Sequence, residues 1–209
     1  MDKAYAGFAE ASNLKTYLAH NSDTPLQEYY YKAGELEKSF PELDVFAFGK
    51  NQPKTLAPFQ KDQMFYAARV SDRKQMADSA FVKHILLPMT EEAKADSLLN
   101  ELKKGADFVA MATEYSADKN PNVKEAGDLG WMTQTMMIPG FESVLTAKSN
   151  QYFKINSNYG IHLVKVTEQT KKLDKVQLAL LTKEIVASER TFQHYYAQAN
   201  DLVVKSEGQ

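Results

Sequence analysis

The apolar positions between residues 81 and 105 change from a strand pattern to a helix pattern. Residues 81–87, with the sequence FVKHILL, are short, rich in branched side chains and bounded by polar residues, as in a half-buried or central strand. Four apolar residues then follow the i, i+3, i+4, i+7 spacing of one helix face: Ala95, Leu98, Leu99 and Leu102. Because Gly105 ends this spacing, the pattern predicts a strand followed by a helix.

The next sixty residues predict two further helices and two further strands. Asp107 is placed to cap a helix whose apolar face begins with Phe108, and a shorter helix is predicted to start near Pro139. Strands are predicted at 129–132 and 161–166, on either side of the shorter helix. This order of strand, two helices, strand, helix and strand predicts an α+β fold with helices on the faces of a sheet.

Three segments in the flanks of this region resemble segments inside it. Residues 42–50 resemble 140–148, residues 64–74 resemble 160–170, and residues 176–181 resemble 82–87, again followed by a helical stretch at 188–203. We therefore predict a central domain at 78–169 and a second α+β module formed by 1–77 with 170–209. That module is either a degenerate copy of the centre or resembles it only as helix–strand units of any α+β protein do.

Composition and charge restrict the classes of function. The 209 residues carry 25 Lys and Arg against 27 Asp and Glu, so there is no basic excess to neutralise a nucleic acid. No apolar run reaches the ~20 residues that span a bilayer, and the first residues lack a signal-peptide core. We expect no membrane contact by this segment, and an anchor of a longer chain would lie outside it. The absence of cysteine excludes disulfides, thiolate metal sites and cysteine nucleophiles.

Four motifs occur in the order and spacing of the parvulin family of peptidyl-prolyl cis/trans isomerases. They are FVKHILL at 81–87, GDLGWM at 127–132, MMIPGFE at 136–142 and YGIHLVKV at 159–166. The resemblance covers roughly residues 80–168 and implies a parvulin (FKBP-like) domain, with a mixed antiparallel sheet and surrounding helices. The flanks and the stretch SDRKQMADSAFVKHILL also resemble SurA- and PpiD-type extracytoplasmic folding factors, in which parvulin domains lie between helical chaperone segments.

The resemblance implies three polar site residues. His84 and His162 match the paired histidines of the family, where we expect them mainly to support the floor of the site. From the residues alone, two histidines in apolar strands can satisfy each other's ring nitrogens. Asp118 matches a position where the family has Cys or Asp, although a turn or cap residue in a solvated loop explains it equally well.

The resemblance also implies an apolar pocket for a proline ring. Leu129, Met137 and Phe141 match the positions that form this pocket, and without the resemblance they would be assigned to the core. Tyr159 is expected beside them, where it helps to set the polarity around the substrate carbonyl.

The chain departs from the family pattern at several positions. Met132 stands where an aromatic residue is usual, Gln134-Thr135 replaces the customary Arg-Gly, and Tyr159 occupies a position that is usually Phe or Ser. No basic loop follows Ile85, so we expect no selectivity for phosphoserine-proline. These changes keep the pocket and leave open how efficient the catalysis is.

The resemblance therefore implies an isomerase that assists the folding of extracytoplasmic proteins, in the periplasm or cell envelope. Rotation of an X–Pro bond needs no covalent step, so no cofactor or metal is expected. The expected partners are unfolded or proline-containing polypeptide clients. The alternative is a catalytically weak or inactive parvulin module that acts as a peptide-binding holdase chaperone.

Overall fold

The computed structural model describes residues 2–186 and 189–207. Its helices are α1 (Asp2–Glu10), α2 (Leu14–Asn21), α3 (Pro41–Phe48), α4 (Glu92–Lys103), α5 (Phe108–Tyr115) and α6 (Glu189–Glu207). Its strands are β1 (Tyr30–Lys32), β2 (Thr55–Lys61), β3 (Met64–Met76), β4 (Ser79–Leu87), β5 (Asp128–Thr133), β6 (Tyr152–Ser157), β7 (Gly160–Gln169) and β8 (Leu173–Glu184). Three 3₁₀ turns lie at Met89–Glu91, Gln134–Met136 and Phe141–Leu145. The α+β class predicted from the sequence is confirmed.

The chain divides into two compact units. The first unit consists of Met1–Glu28, Leu36–Ser71 and Gln177–Gln209, and the second of Tyr29–Glu35 and Asp72–Val176. The strands form two sheets of four, with the orders β1-β8-β3-β2 and β5-β4-β7-β6. The second unit contains the predicted central domain, 78–169, with short extensions at 72–77 and 170–176 and with seven residues from much earlier in the chain, Tyr29–Glu35.

The first unit has a small core on its helical side. Phe8 of α1 and Leu18 of α2 are fully buried against Ala67 and Leu181 of the sheet. The predicted helical stretch at 188–203 corresponds to α6, and its first position lies outside the described residues.

The second unit has an antiparallel sheet with a core on each face. One face packs against α4 and α5 through residues such as Ile85, Leu98 and Leu163. The other face carries Val82 and Val164 and packs against the turn Phe141–Leu145. Because side chains alternate along a strand, each of the central strands β4 and β7 contributes to both cores.

The end of β4 and the start of β7 position the site. The two strands pair so that His84 lies opposite Val164 and Leu86 lies opposite His162. Both histidines therefore point to the face opposite α4 and α5, two positions apart along adjacent strands, with the pair Ile85–Leu163 between them. The buried sheet thus fixes the separation of the two rings.

Candidate active site

The two histidines predicted to pair are in direct contact. His84 and His162 are 4% and 3% exposed, and their Nδ1 atoms lie 3.0 Å apart. The rings are stacked, with centroids 5.2 Å apart, and the ring of Phe141 meets His162 edge-on at 4.8 Å. The sheet thus holds two imidazoles in a hydrogen bond beneath an aromatic side chain.

Asp118 and Ser157 are hydrogen-bonded to the outer nitrogen of each ring, and together they determine which atoms donate and which accept along the network. Asp118 Oδ2 lies 3.0 Å from His84 Nε2, and Ser157 Oγ lies 2.7 Å from His162 Nε2. An ionised carboxylate only accepts, so His84 Nε2–H donates to it and His84 Nδ1 accepts from His162 Nδ1–H. His162 Nε2 then accepts from the Ser157 hydroxyl, whose oxygen accepts from the Tyr159 amide N–H at 3.0 Å. Donor and acceptor counts are satisfied with both rings neutral.

Burial favours this neutral state. It lowers the pKa of His84, an effect opposed by the hydrogen bond and charge of Asp118. Burial and the neighbouring His84 lower the pKa of His162 to about 4, against the opposing charge of Asp118. At neutral pH the floor of the site therefore carries no positive charge.

An open, mainly apolar cavity of about 260 Å³ lies above the histidine pair. Its lining consists of Leu86, Leu129, Met132, Ile138, Phe141 and Tyr159, with His84, Asp118 and His162. This volume is just below the ~300–1,000 Å³ of most small-molecule sites, which suits one small ring rather than a whole cofactor. Tyr159 is 72% exposed and stands at the rim.

The structure brings together six of the seven residues that the motifs indicated: His84, Asp118, Leu129, Phe141, Tyr159 and His162. Met137 is half-buried and packs against the core cluster that contains Phe141, outside the cavity lining. The roles assigned to these residues stay predictions.

The sequence analysis did not assign Leu86, Ile138 and Ser157 to the site, and it noted Met132 only as a departure from the family pattern. The alternation that places His84 on this face of β4 also places Leu86 there, so that signal was available. Ser157 had no such signal, because its contact depends on the turn that brings the end of β6 back to β7.

The residues that the structure describes contain neither a cluster of metal ligands nor a membrane-spanning helix. Across 2–186 and 189–207, no group of three or more His, Cys, Asp or Glu side chains could hold a metal ion. Within the same ranges, no helix has the length and apolar character needed to cross a membrane.

Comparison with known proteins identifies relatives of the chain. A chaperone SurA from Saccharophagus degradans is 29% identical over 199 residues, which cover 87% of this chain and 44% of that protein. A chaperone SurA from Pseudomonas fluorescens is 36% identical over 102 residues, which cover 44% of this chain and 24% of that protein. The chain thus spans less than half of the length of these curated relatives.

Solved structures also match. The peptidylprolyl isomerase PrsA from Bacillus cereus is 28% identical, and the match covers 47% of this chain and 38% of that chain with a TM-score of 0.41.

The family match includes the whole site. Residues 65–170 match the family model of the PPIC-type PPIase domain, and every residue of the cavity and of its hydrogen-bonded floor lies within this range. This match to just over half of the 209 residues confirms the resemblance seen in the four motifs. The chain belongs to the family of PPIC-type peptidyl-prolyl isomerase domains.

Proposed function

We propose that the second unit catalyses cis/trans isomerisation of X–Pro bonds in polypeptide clients, and that the chain assists the folding of extracytoplasmic proteins. The observation that carries this proposal is the open apolar cavity above a buried, neutral histidine pair. A hydrophobic cup with a closed hydrogen-bond network beneath it suits the binding of a proline ring, with no bond to be made or broken.

The apolar walls act on the rotation barrier. This barrier, ~18–20 kcal/mol, comes from amide resonance, which is lost when the bond twists. Leu129 and Phe141 exclude water, which stabilises the polar planar amide more than the twisted one, and Ile138 holds the ring in both states. Each ~1.4 kcal/mol by which the twisted state is favoured speeds exchange about tenfold.

The polar residues then orient and do not react. Asp118, His84, His162 and Tyr159 set the polarity around the substrate carbonyl at the edge of the cavity. The histidine nitrogens are all engaged with protein partners, which favours a supporting role over proton transfer.

A protease-coupled assay on a short Ala-Pro peptide tests the proposal. We expect the wild-type chain to accelerate exchange and Leu129→Ala to lower kcat/KM by roughly tenfold, because a wall of the pocket is removed. Val45→Ala trims an apolar side chain of the first unit that is 63% exposed, and it serves as the control. Lack of any acceleration by the wild-type chain would contradict the proposal.

A holdase function is the second candidate, and the aromatic face of α6 favours it. Phe192, Tyr195 and Tyr196 are each more than 60% exposed, and the rings of Phe192 and Tyr196 stack at 6.0 Å. Exposed aromatic groups of this kind suit capture of unfolded apolar segments. If holding dominates, Phe192→Ser with Tyr196→Ser will weaken suppression of client aggregation, while Leu129→Ala will leave that suppression unchanged.

We also propose a periplasmic or cell-envelope location. The match to chaperones named SurA and the cysteine-free sequence, which is compatible with an oxidising compartment, support it. Fractionation of cells that express the full natural protein tests this assignment.

A further inference from the structure

The side chain of Gln134 joins the loop before the pocket to strand β1. Its Oε1 accepts a hydrogen bond from the Tyr30 backbone N–H at 2.9 Å, and its Nε2 donates to the Tyr30 carbonyl at 2.9 Å. The carboxamide therefore satisfies both backbone groups of Tyr30, as a paired strand would. Gln134 is also one of the two residues that replace the Arg-Gly usual in the family.

Strand β1 is itself held firmly in the second unit. Tyr30 is 7% exposed and belongs to the core cluster that includes Phe141. Its hydroxyl donates to Asp72 Oδ2 at 2.6 Å and accepts from Lys74 Nζ at 2.7 Å.

An ion-pair cluster adds to this anchorage. Lys32 of β1 lies 2.7 Å from Asp78 Oδ2, and the buried Lys175 lies 2.7 Å from Asp78 Oδ1. These ion pairs lower the pKa of Asp78. Residues 29–35 are thus attached to the unit through the core and through charge, although they are distant in sequence.

The loop that Gln134 holds leads directly into the pocket wall. The turn Gln134–Met136 is followed by Met137, whose N–H donates to the Gln134 carbonyl at 3.4 Å, and then by Ile138, which lines the cavity. Thr135 and Met136 are exposed and give the turn no packing. The Gln134 side chain therefore connects this turn to a rigid part of the unit.

We propose that residues 29–35, which lie outside the matched range 65–170, support the isomerase site, and that Gln134 is a positioning residue for its Ile138 wall. This inference rests on the proposed function. His84 lies on β4, His162 lies on β7 and Asp118 lies in another loop. Displacement of Ile138 therefore leaves these three residues in place. Loosening the wall weakens the grip on the ring in the planar and twisted states alike, which raises KM and leaves kcat unchanged.

Steady-state kinetics of the full chain on an Ala-Pro peptide test the inference. We expect Gln134→Ala to raise KM about fivefold, because the turn before Ile138 loses its two hydrogen bonds to Tyr30 and becomes less well positioned, and to change kcat by less than about twofold. Gln134→Glu keeps one accepting oxygen but places its second carboxylate oxygen against the Tyr30 carbonyl, so its KM should rise at least as much as that of Gln134→Ala.

Two control variants separate positioning from general loss of stability. Thr135→Ala removes a hydroxyl from the same turn that is hydrogen-bonded to the Thr133 hydroxyl. This variant should keep the wild-type KM. Tyr30→Phe removes the contacts to Asp72 and Lys74 but keeps the backbone groups that Gln134 binds. It should lower the thermal midpoint without raising KM.

An unchanged KM in Gln134→Ala, or an equal rise in Tyr30→Phe, would overturn the inference. If the wild-type chain does not accelerate exchange, the proposed function fails while the inference is tested by binding of the same peptide. Peptide binding is followed by the fluorescence of Trp131, the one tryptophan of the chain. It lies on β5 next to Met132, which lines the cavity. Gln134→Ala must then raise Kd about fivefold relative to Thr135→Ala.

Discussion

Each imidazole of the site has a fixed hydrogen-bonding role. His162 donates from Nδ1 and accepts at Nε2, and His84 accepts at Nδ1 and donates from Nε2. A second proton on His84 would place two N–H groups against each other at 3.0 Å. Burial and geometry therefore act together to keep the pair neutral, and the pair in turn supports the ring of Phe141.

The lowered pKa of His162 predicts loss of stability in mild acid. In the unfolded chain His162 takes up a proton near pH 6.5, whereas in the folded chain its pKa is about 4. The free energy of unfolding is therefore unaffected by His162 above pH 6.5 and falls as the pH drops to about 4. His84 and Ser157 are hydrogen-bonded to this ring, and Asp118, bound to the far side of His84, acts on it through its charge. Between pH 7 and 4 we expect His162→Gln to lose about 3 kcal/mol less unfolding free energy than the wild-type chain.

Denaturant unfolding at several pH values measures this difference. His20→Gln, at an exposed histidine of the first unit, is the matched control. Parallel curves for His162→Gln and the wild-type chain would show that His162 does not titrate differently on folding.

At the residue scale, the sequence predicted six of the nine residues that line the cavity and did not assign Leu86, Met132 and Ile138 to it. The position of His84 and His162 inside apolar strands indicated a pair, and the motifs selected Leu129 and Phe141. Ser157 could not be predicted, because its hydroxyl reaches His162 only after a turn has folded back. Gln134 was visible as a departure from the family, but its partner lies 104 residues away in sequence.

The turn between β6 and β7 is the element that brings Ser157 and Tyr159 to the site. Ser157 pairs with Gly160 across it, and Gly160 adopts φ +143°. A Cβ at Gly160 would lie 2.3 Å from the Leu87 carbonyl oxygen, a backbone atom at the end of β4. Glycine is therefore required here both by conformation and by the close approach of two strands.

We expect Gly160→Ala to destabilise the chain by about 3 kcal/mol or more, because strain and a backbone clash add. Gly105, which ends α4 at φ +103° with no atom within 4 Å of its Cβ position, is the matched control. Gly105→Ala should cost only the conformational penalty, about 1 kcal/mol. Thermal unfolding of both variants checks this, and equal losses would remove the clash from the explanation.

At the element scale, the sequence predicted strongly patterned segments and missed weakly patterned ones. The strand at 81–87 and the capped helix after Asp107 are confirmed as β4 and α5, with Asp107 Oδ1 accepting from the Ala110 N–H at 2.7 Å. The short helix predicted near Pro139 is a 3₁₀ turn at Phe141–Leu145. Strand β6 was not predicted, because Ile155 is its one buried residue and the alternation of apolar and polar residues along it is correspondingly weak.

The two sheets of the molecule have equivalent strand orders. In the first, β8, β3 and β2 are neighbours in that order, as β4, β7 and β6 are in the second. The similar segments noted in the sequence place β3 with β7 and β8 with β4, which matches this order. We propose that the first unit is a degenerate copy of the parvulin fold, with its two halves at the two ends of the chain.

This copy lacks the histidine pair. Tyr66 stands where His162 stands, and the buried Leu178 stands where His84 stands. The ring of Tyr66 packs on Phe40 and Phe59, with centroids 5.1 and 5.6 Å away. Aromatic side chains thus cover the place that corresponds to the floor of the site.

If the first unit is inactive, closing one cavity removes all isomerase activity of the chain. Leu129→Trp adds bulk to the lining of the 260 Å³ cavity and should lower kcat/KM at least about a hundredfold. The observed exchange rate should then approach that of the uncatalysed reaction. Tyr66→Phe, in the first unit, should leave kcat/KM unchanged. Substantial residual activity in a folded Leu129→Trp variant would assign catalysis to the first unit as well.

The one-way chain of hydrogen bonds from Ser157 through both imidazoles to Asp118 has a consequence for isotope experiments. Every exchangeable hydrogen in it already has an acceptor within the protein, so none is available to be handed to or taken from the client. The catalysed rate constant should therefore be the same in heavy water as in ordinary water at neutral pH, which kinetics measured in each solvent would show. A mechanism in which an imidazole passes a proton would be slowed instead.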